Sequence, residues 1–505
     1  MSQPNQGSFF APSEFWRIVI VLAILVLGFG TRMYDLTDPP LDYAGARQLR
    51  SMMIARGKYY GMIEDAPAWK TDIARKQANI HGMIEPEIIE SITAATYLVA
   101  GGEYVWIARI YSSLFWVLGG LALYSLARKM VSTDGAVIAL VYYLFVPFGL
   151  LASRTFQPDP LMTAMIITAW LCFYHWYTTS TWKWAVLSGL SAGAAMFIKS
   201  TAVFFLLFGM AAVVLDRERM GKLVKNAQVW VLTLLSGIPV LAYHIYGILI
   251  IGELESQLRG RFFPQLWDQP DFYLQWKNAV SSVTGHTLIL ILGLLGLIFL
   301  RRHRDRLFLI GIWAGYLLYG FAFGYHISTH YYYHLPVIPL LALTVGALAD
   351  WVFGWFTSSL WPPLIRSVVV AIIIVGVGGG YYTFHQEDFR HEPGYFAKVA
   401  SFVDFEDDIV ALSQDYGYRL SFYGWLAVHP WKGTEDLRYI ELRDSEVAPF
   451  SKRFEVYADN YDYFVVTRMK ELRRQEKLYQ ELYNHYPIVR EGGGYVIFDL
   501  QGRKD

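Results

Sequence analysis

Long apolar runs separated by short polar segments dominate the chain up to residue 384. A window of about 19 residues suits the search for membrane helices. It finds eleven runs, at 17–31, 105–127, 134–152, 160–178, 184–198, 200–215, 228–250, 286–300, 307–324, 334–352 and 367–384. The pattern therefore predicts about eleven transmembrane helices, although several runs are shorter than the roughly 20 residues that a straight span needs.

The runs 184–198 and 200–215 are separated only by Lys199 and Ser200. A single helix across both runs would hold a lysine at its centre, which costs about 2.5–3.5 kcal/mol on insertion scales. Two helices that meet at Lys199 on the membrane surface avoid this cost. We therefore predict a helix break at Lys199.

The basic residues of the short loops indicate the orientation of the spans, because cytoplasmic loops carry an excess of lysine and arginine. With the N-terminus inside, the short inner loops hold Arg128, Lys129, Lys183, Arg217, Arg219, Lys222, Lys225, Arg301, Arg302, Arg304, Arg306 and Arg366. Apart from Lys199 at the predicted break, the short outer loops hold only Arg154, Arg259, Arg261 and Lys277. This bias predicts a cytoplasmic N-terminus and an extracytoplasmic C-terminus. The first run lacks a small-residue cleavage site, which favours an uncleaved span, and no organelle signal is evident, so we expect a plasma (inner) membrane location.

Three polar segments remain outside the membrane in this prediction, at 32–104, 252–284 and 385–505. The first is expected to hold helices near 41–56 and 86–100. The last alternates strand-like runs (DIVALS, YFVVT, GYVIFDL) with one helix-like charged segment, RMKELRRQEKLYQELY. We therefore predict a transmembrane module over residues 1–384 and a small soluble extracytoplasmic α/β domain over 385–505. The glycines 492–494 are typical of a hairpin turn.

Composition supports a membrane protein. Of the 505 residues, 54% are hydrophobic and only 17% are charged, whereas soluble domains carry about 25% charged residues. The 43 basic and 43 acidic residues leave no net charge, so the balance gives no support for a nucleic-acid partner. The single cysteine, Cys172, excludes an internal disulfide and any metal site built on several cysteines.

Unusual polar residues gather at the predicted outer face. They are Asp42, Arg47 and Gln48 after the first span, Glu85 later in the first outer loop, Arg154 and Asp159 after the third, Lys199 after the fifth, and His330 and Tyr331 after the ninth. Lysine, arginine and histidine suit an anion such as a phosphate. Aspartates suit proton abstraction or contacts with sugar hydroxyls. The set predicts a cavity at the lipid boundary for a substrate with an apolar tail and a phosphate head.

Each motif alone also has a simpler explanation. Residues 42–48 fit a surface helix with solvated charges, and Asp159 fits a helix N-cap because prolines flank it. Lys199 fits a lysine that snorkels to the membrane edge. The segment with His326, His330 and His334 fits interfacial aromatics with incidental histidines, and as a metal site the histidine spacing is weak.

The order of these motifs resembles that of the C-type-fold membrane glycosyltransferases, which use lipid-linked sugars. The likeness is to the branch of protein O-mannosyltransferases and lipid A aminoarabinose transferases, and it covers roughly residues 15–385. It rests on PPLDYAGARQ, on the segment from IEPEIIES that holds Pro86 and Arg109, and on ASRTFQPDPLM, FIKSTAVF and HYYYHLPVIPLLAL.

The resemblance implies transfer of a sugar from a polyprenyl phosphate to a glycan, lipid or protein acceptor. It implies that Asp42 is the catalytic base and that Lys199 lies near the donor phosphate, with Arg154 or His330. The other substrate-binding positions are Arg47, Gln48, Glu85, Asp159 and Tyr331.

Two departures from the family pattern affect these roles. Tyr43 follows Asp42 where many members carry an Asp-Glu pair, and His330 stands where arginine is common. No cofactor is implied. A divalent metal is unsupported, because the predicted outer loops hold no Asp-X-Asp motif.

The main alternative function is that of a membrane transporter or flippase for a lipid-linked or anionic substrate. Such a protein is expected to carry ionisable residues within its spans and paired internal repeats. The apolar runs are almost free of charge, and no repeat is evident. The sequence therefore favours an enzyme.

Overall fold

The computed structural model describes residues 8–10, 13–217, 222, 225–255, 261–356, 361–442 and 446–504. Arg219 and Arg259, two of the charges counted in the loop bias, lie outside the described residues. Two units are distinguished. The helical unit comprises Met1–Leu36, Met83–Pro86 and Arg109–Gln386, and the sheet unit comprises Thr37–Gly82, Glu87–Ala108 and Glu387–Asp505. The sequence division after residue 384 differs from this one, because most of the first outer segment packs with the C-terminal tail.

All eleven predicted apolar runs are helical, and they belong to the helical unit except for the first residues of the run 105–127. Their helices are Glu14–Arg32, Trp106–Met130, Thr133–Phe145, Pro147–Ala152, Asp159–Thr179, Trp182–Ile198, Val203–Arg217, Ala227–Ile245, Thr287–Phe299, His303–Ala322, Val337–Phe353 and Trp361–His385. Among the described helices, four are long and apolar enough to cross a membrane, at Glu14–Arg32, Trp106–Met130, Ala227–Ile250 and Trp361–His385. A fifth candidate is a pair, Pro270–Val283 and Thr287–Phe299, bent by 85°. The number of eleven spans remains a prediction.

Two helix breaks separate neighbouring apolar helices. The predicted break at Lys199 is confirmed: Trp182–Ile198 ends there, Lys199 is extended (φ −155°, ψ 117°), and a short 3-10 turn leads to the next helix. The run 134–152, which was expected to be continuous, is interrupted at Val146. Pro147 explains this break, because proline lacks the N–H that a continuous helix requires and restricts the residue before it.

The histidine segment does not form the regular helix that would align its histidines. Helix Gly324–Thr329 ends before His330, which is extended, and a 3-10 turn follows over Tyr331–His334. His334 is fully buried and bonds to the Tyr316 hydroxyl (2.8 Å) and to the carbonyl of Ile327 (2.7 Å). His334 therefore has a packing role.

Helices Gly45–Gly61, Ala68–Asn79 and Ile88–Ala100 belong to the sheet unit. The first and third correspond to the helices expected near 41–56 and 86–100. The middle helix was not predicted from the sequence. Its Gln77 is fully buried and donates to the carbonyls of Ser421 (2.6 Å) and Leu426 (3.1 Å), so tail residues fix this helix.

The tail contains a five-stranded sheet with the order β2-β1-β3-β5-β4. Its strands are β1 Ile409–Leu412, β2 Val428–Pro430, β3 Tyr463–Val466, β4 Ile488–Gly492 and β5 Tyr495–Asp499. β1 is parallel to β2 and β3, and β5 is antiparallel to β3 and β4. The remaining tail helices are Glu392–Ala400, Tyr418–Gly424, Thr434–Leu442, Phe450–Ala458, Met469–Arg474 and Glu476–His485. The predicted small α/β domain is confirmed.

Both faces of this sheet are covered, because successive strand residues point to opposite sides. Val410 and Leu412 pack with Trp431 on one face, whereas Ile409 and Ala411 pack on the other. The glycines 492–494 close the β4–β5 hairpin as predicted, with Gly494 at φ 93°. The charged segment that was expected to form one helix forms two, Met469–Arg474 and Glu476–His485, because Gln475 between them is not helical.

Candidate active site

Lys199 lies at the centre of a buried ionic cluster in the helical unit. Its Nζ is 2.8 Å from Asp159 Oδ1 and 3.8 Å from Glu85 Oε1. Only 5% of Lys199 and 0% of Asp159 is exposed. A buried lysine requires such partners, because an unpaired charge away from water is strongly destabilising. Three of the substrate-binding residues predicted from the sequence therefore meet here.

Two tyrosines complete the surroundings of the Lys199 ammonium. Its Nζ lies 4.9 Å from the ring centre of Tyr332 and 5.0 Å from that of Tyr333, within the range of cation–π attraction. Tyr331, which the sequence also predicted as a site residue, packs edge-on against Phe148, with ring centres 6.3 Å apart. His330 is held through Nδ1 by the Thr329 hydroxyl at 2.7 Å.

The structure does not support the N-cap interpretation of Asp159. Pro158 is the N-cap, and Asp159 is the first helical residue, with its Oδ1 bonded to Lys199. Its Oδ2 is buried and has no hydrogen-bond partner among the described residues, and the same is true of both amide atoms of Gln157. Buried polar atoms of this kind are usually satisfied by a water or a ligand. The start of this helix therefore has unused hydrogen-bonding capacity.

A small cleft of about 30 Å³ lies beside Lys199 and is partly open to solvent. Its lining includes a second cation, Arg261, which forms no ion pair with the described residues. Neither Arg261 nor His244 was predicted as a site residue, and the only sequence signal was the basic RGR run in an aromatic-rich outer loop. The lining residues are Ile84, Glu85, Pro86, Phe197, Lys199, Ser200, Thr201, Tyr243, His244, Leu254 and Arg261. Such a mixture of cations and hydroxyls suits an anion.

Arg154 is buried and holds the backbone that follows the first helix. Its guanidinium donates to the carbonyls of Tyr34 (2.7 Å) and Asp35 (3.2 Å) and lies 4.0 Å from the ring centre of Phe384. Arg109 reaches the same Asp35 carbonyl at 3.4 Å. These contacts give Arg154 a structural role that its sequence context did not indicate.

Asp42 belongs to the sheet unit and lies in the turn before helix Gly45–Gly61. Its Oδ1 accepts a hydrogen bond from the Tyr43 N–H at 3.1 Å, and the carboxylate is partly exposed. Gln48 is fully buried and donates to the Tyr43 carbonyl at 2.7 Å, whereas Arg47 is partly exposed. The first helical turn therefore fixes the peptide next to Asp42.

No group of three or more histidine, cysteine, aspartate or glutamate side chains in the described part of the chain is arranged to hold a metal ion. Cys172 is a buried free thiol. The ionisable groups that line the cleft are Lys199, Arg261, His244 and Glu85, and they can bind an anion and accept a proton.

The chain is similar to known proteins both in sequence and in three-dimensional structure. The sequence model of the dolichyl-phosphate-mannose-protein mannosyltransferase family matches residues 86–246. No curated protein sequence matches the chain. A solved structure of ArnT from Cupriavidus metallidurans, bound to undecaprenyl phosphate, aligns with a TM-score of 0.58 and 16% identity over 97% of this chain and 98% of that one.

Two other solved structures share the architecture. The oligosaccharyltransferase AglB from Archaeoglobus fulgidus, in complex with an inhibitory peptide and a dolichol-phosphate, aligns with a TM-score of 0.54 and 12% identity. The match covers 94% of this chain and 73% of AglB. The arabinofuranosyltransferase AftD from Mycobacteria aligns with a TM-score of 0.52 and 14% identity over 97% of this chain and 42% of AftD. The resemblance drawn from the sequence is confirmed: the protein is an α-helical membrane protein with the C-type glycosyltransferase fold and a small C-terminal α/β domain.

Proposed function

We propose that the protein is an inverting glycosyltransferase that moves a sugar from a polyprenyl-phosphate donor to an acceptor hydroxyl. The observation that carries the proposal is Lys199, held by two carboxylates beside a cleft that also contains Arg261. Two of the aligned structures contain an undecaprenyl phosphate or a dolichol-phosphate, which supports a lipid phosphate as the ligand of this site.

The cations act on the leaving group. When the bond between the anomeric carbon and the phosphate oxygen breaks, its electron pair stays with the phosphate, which gains negative charge. Lys199 and Arg261 stabilise that charge as it develops, and preorganised charges of this kind often lower the barrier of a reaction more than any other single effect. Asp159 holds the lysine in place through one hydrogen bond, and since Nζ carries three N–H donors, others remain for the phosphate.

Asp42 acts on the acceptor. Its carboxylate takes the proton of the acceptor hydroxyl as that oxygen attacks the anomeric carbon from the side opposite the phosphate. One carbon–oxygen bond forms while another breaks, so the configuration at the anomeric carbon inverts. The acceptor belongs to the glycan, lipid or protein class.

We place the reaction on the extracytoplasmic side of a plasma (inner) membrane, with the N-terminus cytoplasmic. The loop charges support this orientation, because lysine and arginine concentrate in the loops assigned to the cytoplasm. In the same orientation Asp42, Lys199 and the C-terminal domain all lie outside.

The test is transfer from a panel of radiolabelled polyprenyl-phosphate sugars in membranes, with wild type beside Asp42→Asn. We expect label to move to a new product, and the substitution to lower kcat by about 10²–10⁴-fold because it removes the base. Asp65→Asn is the matched control, since Asp65 is an exposed carboxylate of the same unit. NMR of the product reports the anomeric configuration.

Full activity of Asp42→Asn would exclude Asp42 as the base while leaving the enzyme class intact. A wild-type protein that neither turns over any donor nor binds a polyprenyl phosphate would overturn the glycosyltransferase proposal itself.

A further inference from the structure

The turn that carries Asp42 has a backbone conformation that needs support. Ala44 is the N-cap of helix Gly45–Gly61, with φ 49° and ψ 45°, and its side chain makes no capping hydrogen bond. Residues other than glycine rarely adopt positive φ, and N-caps are normally extended residues with a side-chain oxygen. Something outside the turn must therefore stabilise this helix start.

The tail supplies that support through Asp415. A Cβ built on Gly45 would lie only 3.0 Å from Asp415 Oδ2, so the carboxylate packs directly against the first helical residue. A negative charge is favourable at a helix N-terminus, where the first N–H groups have no partners within the helix. Asp415 therefore provides the charge that Ala44 cannot.

Asp415 is itself held in an unusual turn. It has φ 49°, Tyr416 has φ 60° and Gly417 has φ 82°, so three consecutive residues are left-handed. Arg419 fixes the carboxylate, with Nε 2.6 Å from Asp415 Oδ2 and Nη1 3.3 Å from Glu392 Oε2. Strained backbone of this kind persists only where the surroundings determine it, and it is concentrated at functional sites.

A continuous set of contacts leads from this turn to Asp42. Asp415 packs on Gly45, and the first turn of that helix presents Gln48, whose amide holds the Tyr43 carbonyl. The Tyr43 N–H in turn donates to Asp42 Oδ1. A shift of the helix start would therefore change the position of the Asp42 carboxylate.

We infer that Asp415 is a positioning residue: the C-terminal domain places its carboxylate on Gly45 and thereby sets the geometry of the turn that carries Asp42. The inference rests on the proposed role of Asp42 as the base. It gives the C-terminal domain a part in the chemical step without contact between Asp415 and the substrate.

The experiment is a double-mutant cycle of Gly45→Ala and Asp415→Ala in the full-length protein, with kcat and donor KM measured. Each single change is expected to lower kcat by about 10- to 100-fold with KM unchanged, as small misplacements of a catalytic group do. The double variant should lose less than the product of the two losses, because removal of the carboxylate makes room for the added methyl. Gly61→Ala is the matched control, since that glycine of the same helix has no neighbour within 4 Å.

A second measurement does not depend on activity. Hydrogen exchange of the peptide 42–50 is expected to accelerate in Asp415→Ala, while a peptide from β4 and β5 remains unchanged. Asp415→Asn, which keeps the shape and removes the charge, replaces Asp415→Ala if the latter does not fold.

The inference would be overturned if the loss of kcat in the double variant equalled the product of the two single losses. Unchanged kcat in Asp415→Ala would overturn it as well. If the wild type neither transfers label nor binds a polyprenyl phosphate, the proposed function fails. Hydrogen exchange then tests the contact between Asp415 and Gly45 by itself. Unchanged exchange at 42–50 overturns the positioning contact, and faster exchange supports it.

Discussion

Lys199 and Arg154 are both buried cations of the helical unit, but their partners differ. Lys199 lies between the carboxylates of Asp159 and Glu85 beside a cleft. Arg154 donates to two backbone carbonyls at the end of the first helix. A cation balanced by acids next to open space can interact with an anion that enters, whereas a cation bonded to carbonyls maintains the chain path. We infer from this difference in partners, since both cations are buried, that Lys199 is a candidate site residue and Arg154 a structural one.

The largest expected effect is at Lys199. Lys199→Gln should lower kcat by about 10²–10³-fold, because it removes the charge that we propose stabilises the departing phosphate. Steady-state transfer, measured at a temperature where the variant is folded, tests this. Lys199→Arg keeps the charge and should retain more activity. Lys277→Gln is the control, since Lys277 is an exposed lysine outside the cleft. A variant that keeps wild-type kcat would remove Lys199 from the chemistry.

The next effect is at Arg154 and concerns stability. Arg154→Met should lower the free energy of unfolding by about 2–3 kcal/mol, because the carbonyls of Tyr34 and Asp35 lose a charged donor. Transfer by the folded protein should fall much less than in Lys199→Gln. Thermal unfolding in detergent measures the loss of stability, and kcat measured below the unfolding temperature reports the loss of activity separately. A loss of transfer without a loss of stability would return Arg154 to the substrate-binding role that the sequence suggested.

His81 is a third buried ionisable group, and within the described part of the chain it is bonded neither to carboxylates, as Lys199 is, nor to backbone carbonyls, as Arg154 is. His81 of the sheet unit packs edge-on against Tyr418, with ring centres 4.8 Å apart, and neither ring nitrogen has a hydrogen-bond partner among the described residues. Burial, helped by the nearby Arg50 charge, lowers the pKa of His81 to about 3. His81 is therefore neutral in the folded protein at any physiological pH.

Because the pKa is lower in the folded state, the unfolded state takes up a proton first as the pH falls below about 6.5. The contribution of His81 to the free energy of unfolding is therefore fully present above that pH, and it decreases as the pH falls toward 3. At pH 5 the loss should be about 2 kcal/mol relative to pH 8. His81→Phe should abolish this part of the acid sensitivity, measured by unfolding at both pH values. His429→Phe, at an exposed histidine, should leave the acid sensitivity unchanged. An equal effect of the two substitutions would show that His81 is not its source.

The sequence predicted those elements that hydropathy and charge determine locally. The eleven apolar runs marked helices, and the energetic cost of a central lysine correctly indicated the break at Lys199. Strand β2 was missed because it is three residues long, and β4 because it is exposed and polar, with Ile488–Gly492 reading IVREG.

The candidate site was predicted only in part, because long-range partners are not visible in a local pattern. Asp159, Lys199 and Glu85 were named individually, but only the fold shows that they meet. The carbonyls that hold Arg154 lie about 120 residues away in sequence. The contact between Gly45 and Asp415 spans an even longer separation and has no motif.

The division of the sheet unit among separate chain segments has a consequence for biosynthesis. Its first two segments end at Ala108, and its last begins at Glu387, about 280 residues later. At a synthesis rate of roughly 5–20 residues per second, the helices before Ala108 wait tens of seconds for their partners. During that interval Gln77 and the start of helix Gly45–Gly61 have no tail to bind. Synthesis of the tail, rather than insertion of the first helix, therefore completes the turn that carries Asp42.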